Sequence, residues 1–529
     1  MKWSDTGDPE AVAQAPATVV AQASAKAGGG SGGERPTKAG ARSPAAVVAV
    51  LVPVLVMLAL GLWRLDRGGM WRDEAATFQV SRRSVPQIWH LLHHVDAVHG
   101  LYYLFMHVVL AVDPSEVALR LPSVIGAAAT AGLVAALGVR LCRPRVGLWA
   151  GLLYAVTPLA GHFAQEGRSY ALVAAGATGA TLLLVKAVRT GGWWGYGVTL
   201  TVTCILHEFA VLLLLAHATT LALTRMPWRV WRRWGCAAGA TVLVLSPLAL
   251  VSHGQSAQVA WLSAPNGESV DLLVRAFTGP AQLVVVPYLF LIALGLWPLV
   301  RRGEMTLAAV ALPLLLLPPA VLITVSHFWP LYDERYVLYA MSGAPLLAAA
   351  GADRLLGAVP QLRSALPSRV VTVAGVLAVA LVLTVQFPLL RKDRNPNHRP
   401  DNLAAMSAAA GRELRPGDPV LFLPSLARRS ALAYPAGFRG IRDIALTRSA
   451  TASGTLYGEE AGPRELRRRL DRLDRVWVVA EHFAARRNWH PDTGVATEEA
   501  KLAVLREEFT LRERIVRRGI TLRLYVRRR

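Results

Sequence analysis

The chain has 529 residues, 53% of them hydrophobic and only 17% charged, against about 25% charged in soluble domains. Apolar runs of roughly 18–22 residues recur from residue 45 to residue 390, the length that crosses a bilayer as a helix, which excludes a soluble globular protein. The net charge of +22 suggests nucleic acid at first, but most Lys and Arg fall in short clusters between apolar runs, where they set membrane orientation, so no nucleic-acid partner is expected.

Residues 1–44 are polar and include Gly28-Gly29-Gly30-Ser31-Gly32-Gly33 and Arg35-Pro36. They read as a disordered cytoplasmic tail rather than a signal peptide. Residues 45–390 read as a membrane domain of about eleven spans, each near the ~20 residues a bilayer requires. The spans are predicted near 45–64, 121–140, 146–164, 169–187, 194–209, 211–225, 236–252, 279–300, 305–326, 337–356 and 370–389. With the N-terminus inside, five basic clusters become cytoplasmic. They are Arg140, Arg143 and Arg145; Lys186 and Arg189; Arg225, Arg229, Arg232 and Arg233; Arg301 and Arg302; and Arg354, Arg363 and Arg369. The loops near 66–120, 165–168, 253–278 and 327–336 then face outward, as does everything after residue 391. Leu101 to Val112 is apolar but short, and is placed flat on the outer surface; the alternative is a tilted span, which would invert every later basic cluster.

Residues 391–529 change character. Asn402 to Leu414 predicts a helix, Arg415-Pro416-Gly417-Asp418 a turn and Val420 to Leu423 a buried strand. Arg464 to Leu473 predicts a second helix, Val476 to Val479 a second buried strand, and the alternating Ile520 to Val526 an edge strand. This is a small α/β layer domain. No Gly-rich phosphate fingerprint follows its strands, so it is assigned no nucleotide site. Cys142, Cys204 and Cys236 lie in or beside spans and form no disulfide or zinc pattern. The expected fold class is thus an all-α polytopic membrane protein with a small C-terminal α/β extracytoplasmic domain.

The polar residues that stand out fall on one side of the predicted membrane. Trp71-Arg72-Asp73-Glu74 follows the first span, and a carboxylate pair beside hydrocarbon is costly enough to suggest function. Gln165-Glu166-Gly167-Arg168-Ser169-Tyr170 lies at the outer mouth of the third and fourth spans. Tyr332-Asp333-Glu334-Arg335-Tyr336 opens the tenth. A weaker cluster holds His93, His94, Asp96, His99, Tyr102 and Tyr103. Carboxylates and guanidiniums at a water–lipid boundary suit a lipid-phosphate substrate. Arg takes phosphate oxygens bidentately, and a carboxylate can accept the proton of an attacking hydroxyl. Each group has a plainer alternative. Asp73-Glu74 could cap the following helix, Arg168 could snorkel, and Arg335 could pair with Asp333 or Glu334. The histidine cluster is either a metal site or a solvated face, the latter favoured, and His207-Glu208 reads as an ordinary satisfied pair.

The ordered set resembles the C-type (GT-C) glycosyltransferases. It consists of Asp73-Glu74 after the first span, His99 before Leu101-Tyr102-Tyr103, Arg120-Leu121-Pro122-Ser123, Ala164 to Tyr170, and Glu334-Arg335-Tyr336. The likeness is to the protein O-mannosyltransferase and aminoarabinose transferase superfamily, including bacterial mannosyltransferase-like membrane proteins, and covers roughly residues 45–390. Relatives often carry His-Pro-Pro-Leu before the Tyr pair, where this chain has His99-Gly100-Leu101. The resemblance implies inverting transfer of a sugar, mannose or similar, from a polyprenyl-phosphate carrier to an outer protein, lipid or glycan acceptor at the plasma membrane. It further implies Asp73 as the catalytic carboxylate with Glu74 in support. Arg168 and Arg335 would hold the carrier phosphate, with Tyr170 and Tyr336 beside them. His99, Tyr102, Glu166 and Glu334 would contact substrate. A divalent ion could sit at Asp73-Glu74, although a single-base mechanism needs none. Two other readings are weighed. A transporter or flippase of a lipid-linked saccharide would place ionisable groups near the bilayer midplane, whereas these spans are rich in Ala, Leu and Val in their middles. A non-catalytic scaffold would leave the outer carboxylates indifferent to substitution.

Overall fold

The computed structural model describes residues 43–259, 261–358, 367–399, 401–484, 489 and 496–528. The predicted tail through residue 42 and the predicted basic position Arg363 lie outside these. The first helix, α1 (Pro44–Leu62), starts on a proline whose missing N–H costs nothing there, behind Ser43, whose hydroxyl accepts from the Ala46 amide at 3.3 Å. A polar excursion follows, with α2 (Arg72–Ser81), α3 (Val85–Leu92) and α4 (Gly100–Val112). The bundle then continues as α5 (Glu116–Leu141), α6 (Pro144–Val156), α7 (Pro158–Phe163), α8 (Tyr170–Thr190), α9 (Trp194–Leu206), α10 (Leu213–Leu223) and α11 (Trp228–Gly254). It closes with α12 (Gly267–Thr278), α13 (Gln282–Gly295), α14 (Leu307–Ser326), α15 (Gly343–Gly357) and α16 (Ser368–Asp393).

Six of the described helices, α1, α5, α8, α11, α14 and α16, are single rods long and apolar enough to span a membrane, and the pair α12–α13, bent by 83°, makes a seventh candidate. The other predicted spans are built from shorter pieces. The run 146–164 breaks at Thr157 between α6 and α7. The runs 194–209 and 211–225 meet at a 3-10 turn, Glu208–Leu212. The run 337–356 begins in a second 3-10 turn, Glu334–Ser342, before α15. Each break lies at the end of the bundle that carries the acidic clusters, so backbone leaves helical geometry where polar side chains gather. At the opposite end Asp353 is pinned by Arg143 at 2.9 Å and Arg145 at 2.6 Å.

Small residues let the helices close up. α5 buries Gly126, Ala127, Ala131, Ala135 and Gly138, and a Cβ at Gly147 of α6 would stand 2.4 Å from the Ala135 carbonyl oxygen. Such small-residue seams are how helices associate where lipid offers no hydrophobic drive. The short apolar stretch predicted to lie on the surface is α4, which buries Tyr102, Tyr103 and Met106 against α2 and α3.

The C-terminal region is a five-stranded sheet in the order β2-β1-β5-β7-β6. Its strands are β1 (Pro419–Leu423), β2 (Arg442–Asp443), β5 (Arg475–Glu481), β6 (Phe509–Arg517) and β7 (Ile520–Arg527); a separate ribbon joins β3 (Leu446–Arg448) to β4 (Glu459–Glu460). β1 runs parallel to β2 and β5, and β7 pairs antiparallel with both β5 and β6. Leu421 and Val478 face the helices Pro463–Asp471 and Ala496–Glu508, while Val420, Phe422, Trp477 and Val479 face the helix Leu403–Glu413. The predicted edge strand is therefore internal. The edge is β6, whose Arg512, Glu513 and Arg514 hid its strand character; charged residues at an edge also block pairing with other chains.

Candidate functional site

The site forms around the first turn of α2. Its N-cap position is Trp71, which makes no side-chain cap bond. The free amides are satisfied from elsewhere: Glu74 accepts from Trp71 N at 3.4 Å, Asp401 accepts from Arg72 N at 3.2 Å, and the Tyr434 hydroxyl accepts from Met70 N at 2.6 Å. Asp401 also holds the Arg72 guanidinium, with Nε at 3.0 Å and Nη2 at 3.2 Å. Two residues beyond the last predicted span thus cap the helix that carries the acidic pair. Negative groups at a helix N-terminus also meet its partial positive charge.

The two carboxylates of that turn point into different surroundings. Glu74 is fully buried. Its Oε1 accepts from Arg120 Nε at 2.8 Å and from the Gly167 amide at 3.0 Å; its Oε2 accepts from Arg120 Nη2 at 3.0 Å and from Arg399 Nη1. Burial alone would raise this carboxyl; Arg120 and Arg399 overcome that and hold it well below the usual carboxylate range. Gly167 can donate because it has no Cβ, which would stand 2.5 Å from Leu119. Asp73 instead keeps 24% of its side chain open, and its Oδ2 accepts from Arg335 Nη1 at 2.8 Å. Its Oδ1 has no protein donor among the described residues.

Arg335 is braced by Asp333, 3.3 Å from its Nε, and faces the rings of Tyr170, Tyr336 and Trp261 at 5.9, 5.5 and 5.8 Å. These are cation–π distances. Arg168 lies in the turn between α7 and α8, which Ser123 fixes by donating to the Glu166 carbonyl at 2.6 Å. Its Nη2 donates to His99 Nε2 at 2.7 Å, its Nη1 reaches Thr77 Oγ1 at 3.4 Å, and its charge reaches Asp73. Because a guanidinium only donates, His99 Nε2 must be an acceptor, so the ring is neutral with its proton on Nδ1. Burial and Arg168 hold His99 well below its ordinary range accordingly, and the buried Nδ1 has no partner.

The remaining predicted residues divide. Tyr170 lies against both guanidiniums, 6.0 Å from Arg168 and 5.9 Å from Arg335, and Tyr336 against Arg335. Tyr102 is buried with its hydroxyl unpaired. Glu334 is raised by burial and by Asp333. Glu166 is 4% exposed, neither carboxylate oxygen has a hydrogen-bond partner, and burial with the charges of Asp73 and Glu74 pushes it up to about 7.

The structure corrects several expectations. Glu74 is not free to act as a second catalytic carboxylate, because its lone pairs are taken by two arginines and an amide. For the same reason the Asp73-Glu74 pair does not fit a divalent ion: only Asp73 offers a free oxygen, and no described group of three His, Cys, Asp or Glu side chains is placed to chelate one. The histidine cluster is not one solvated face. His93 and His94 bond carbonyls of their own helix, whereas Asp96 turns inward to the Tyr103 hydroxyl at 2.7 Å and His99 to Arg168. His207 and Glu208 do not pair; His207 packs among Tyr170, Phe209 and Tyr336, and Glu208 accepts from Ser252 at 2.7 Å. The sequence reading missed Arg399 and Asp401 as site residues because they lie far along the chain, and it quoted Arg120 without a role.

No family model matches the chain, and no curated protein matches it in sequence. Among solved structures it is similar to ArnT from Cupriavidus metallidurans in the apo state, at 14% identity and a TM-score of 0.55, covering 91% of this chain and 98% of that one. ArnT bound to undecaprenyl phosphate matches to the same extent. The oligosaccharyltransferase of Archaeoglobus fulgidus matches with a TM-score of 0.49 at 10% identity, covering 82% of this chain and 69% of that one. The chain therefore has the GT-C fold of a polytopic membrane protein with a C-terminal α/β region, as the resemblance implied.

Proposed function

Starting from that shared fold, we propose that the protein is an integral membrane glycosyltransferase that transfers a sugar, with mannose the first candidate, from a polyprenyl-phosphate carrier to an extracytoplasmic hydroxyl, with inversion. The observation that carries this reading is Asp73: a partly open aspartate with one free oxygen, held by Arg335 beside Arg168, at the same end of the bundle as every break in the spans. That ArnT binds undecaprenyl phosphate supports a lipid-linked donor.

In this reading the acceptor hydroxyl lies against Asp73 Oδ1 and gives up its proton as its oxygen attacks the anomeric carbon. The bond from that carbon to the phosphate oxygen breaks on the opposite face, and the electron pair leaves with the lipid phosphate. Arg335 and Arg168 neutralise the charge that grows there, a stabilisation that costs no reorganisation because both guanidiniums are already fixed. His99 Nδ1–H and the Tyr102 hydroxyl are buried and unpaired, and contact substrate hydroxyls; Glu334 flanks the entrance. Tyr170, Tyr336 and Trp261 keep water from Arg335 and offer aromatic faces to a sugar. The same reading places the N-terminus in the cytoplasm and the sheet outside. Acceptors are protein, lipid or glycan hydroxyls of the cell envelope.

The test is a donor screen on purified protein in lipid, with labelled polyprenyl-phosphate sugars and crude envelope acceptors. Transfer by wild type and its loss in Asp73→Asn supports the reading. Equal rates in the two proteins, or transfer from no lipid-linked donor, removes it.

A further inference from the structure

Glu166, His162 and Asp393 form a chain of ionisable groups that the transfer step above leaves unused. His162 lies in the last turn of α7, and its Nδ1 is 2.8 Å from Asp393 Oδ1 at the end of α16. Its Nε2 lies 3.7 Å from Glu166 Oε2. Asp393 is anchored by Arg394 Nη1 at 3.0 Å and Arg67 Nη2 at 3.5 Å, so it remains an acceptor and keeps a proton on His162 Nδ1. The other ring nitrogen then faces Glu166 and can take or give a proton.

The two ends of this chain see different solvent. Glu166 is enclosed and, apart from the 3.7 Å approach of His162, neither of its oxygens has a hydrogen-bond partner. His162, by contrast, has 47% of its side chain exposed. Groups facing Glu166 are Asp73 and Glu74 from α2, Arg335 from the turn before α15, and His162 itself. Those facing His162 are also Asp393, Arg399 and Glu334. An enclosed carboxyl with no hydrogen-bond partner, beside the proposed base and joined to a water-exposed imidazole, suits proton transfer better than bracing. A structural acid would be paired as Glu74 is.

We propose that Glu166, His162 and Asp393 are a proton relay that connects the neighbourhood of Asp73 to outside water, with Asp393 as the positioning residue. The relay rests on the glycosyltransferase reading. Transfer puts the acceptor's proton on Asp73. The proton passes through a bridging hydroxyl or water to the Glu166 carboxylate, then to His162 Nε2, then to water, which returns Asp73 to its basic form for the next turnover. One proton enters from the acceptor and one leaves to solvent. Burial opposes a charged His162, but Asp393 and Glu166 outweigh it and hold the imidazole above its ordinary value, which favours passage of the proton from Glu166 to His162.

The test uses full-length protein in lipid with the donor found in the screen. His162→Gln can still donate to Asp393 but cannot shuttle a proton, and Glu166→Gln keeps shape without charge exchange. Each is expected to lower kcat by about a hundredfold, the bottom of the ~10²–10⁴-fold acid–base range, with donor KM held. His162→Ala is expected to regain rate with added imidazole, in proportion to its concentration, while Glu166→Gln gains nothing. If the wild type transfers sugar and Asp73→Asn does not, but both Gln variants run at the wild-type rate, the relay falls and the enzyme reading stands. A slow His162→Ala that imidazole leaves unchanged also overturns the relay. If the wild type transfers no sugar, the functional reading fails and the relay with it.

Discussion

Asp73 and Glu74 are neighbours on one helical turn, yet they occupy opposite kinds of environment. Around Glu74 every acceptor site is filled by Arg120, Arg399, Gly167 and Trp71. Around Asp73 the arrangement is open: one oxygen free, one arginine shared with Asp333, and nearby a Glu166 whose oxygens accept no hydrogen bond. Satisfied buried charge fixes geometry, whereas unsatisfied polar groups are tolerated where something else is to bind. The adjacent pair thus separates into a brace and a working group, a division that sequence proximity does not reveal.

The sharpest way to break this contrast is to neutralise each carboxylate in turn. Asp73→Asn should reduce turnover by about 10²–10⁴-fold, the worth of general-base assistance, while the unfolding temperature in detergent stays at the wild-type value. Glu74→Gln should do the reverse: it leaves Arg399 buried without its counter-charge and Arg120 with only Glu116, 3.8 Å away. Breaking one partner of a buried ion pair costs about 3–5 kcal/mol, so this variant should unfold early or accumulate poorly, which thermal scans and membrane yield would report. A Glu74→Gln protein as stable as wild type, but inactive, would make Glu74 the chemical group and end the division.

Glu166 sharpens the same contrast through pH. A carboxyl raised from its ordinary 4.5 to about 7 by folding binds its proton more tightly in the folded chain than in the unfolded one. Its contribution to stability is therefore present below the unfolded value and is lost as pH rises through about 7. At about 1.36 kcal/mol per pH unit the loss approaches about 3 kcal/mol. Wild type should lose stability between pH 5 and pH 8 relative to Glu166→Gln, and the difference between the two melting curves isolates this group from its neighbours. Parallel curves would show that Glu166 is ionised and paired.

Much of this was legible in the sequence, for identifiable reasons. Six of the predicted spans, each a single long helix, follow from apolar length, and Asp73, Arg168 and Arg335, which the sequence placed on one side, do come together. Tyr170 and Tyr336 came with their arginines because they are their near neighbours in sequence. What escaped was long-range: that Arg120 and Arg399 saturate Glu74, that Asp401 caps α2, and that His162 faces Glu166 across a turn to reach Asp393. Pairings between residues 74 and 399, or 162 and 393, leave no local periodicity. β6 was missed for a different reason, since Arg512, Glu513 and Arg514 mask its strand character and leave β7 looking like the edge.

The smallest expected effect tests whether the brace extends beyond the bundle. Asp401 is 1% exposed and makes three hydrogen bonds to Arg72, one of them to the first amide of α2. An asparagine there keeps one acceptor oxygen but loses the charge that opposes the helix N-terminus and the guanidinium. Hydrogen bonds to charged groups are worth about 1.5–3 kcal/mol, part of which the amide retains, so Asp401→Asn should cost less than Glu74→Gln. Because Asp73 follows Arg72 directly, loosening that turn should also lower kcat several-fold without changing donor KM, since Arg168 and Arg335 are untouched. An Asp401→Asn protein with wild-type kcat but reduced stability would show that the sheet region steadies the fold without aiming the aspartate. A lowered kcat that a second substitution remote from α2, stabilising the fold to the same degree, fails to restore would instead place Asp401 in the alignment of the reacting group.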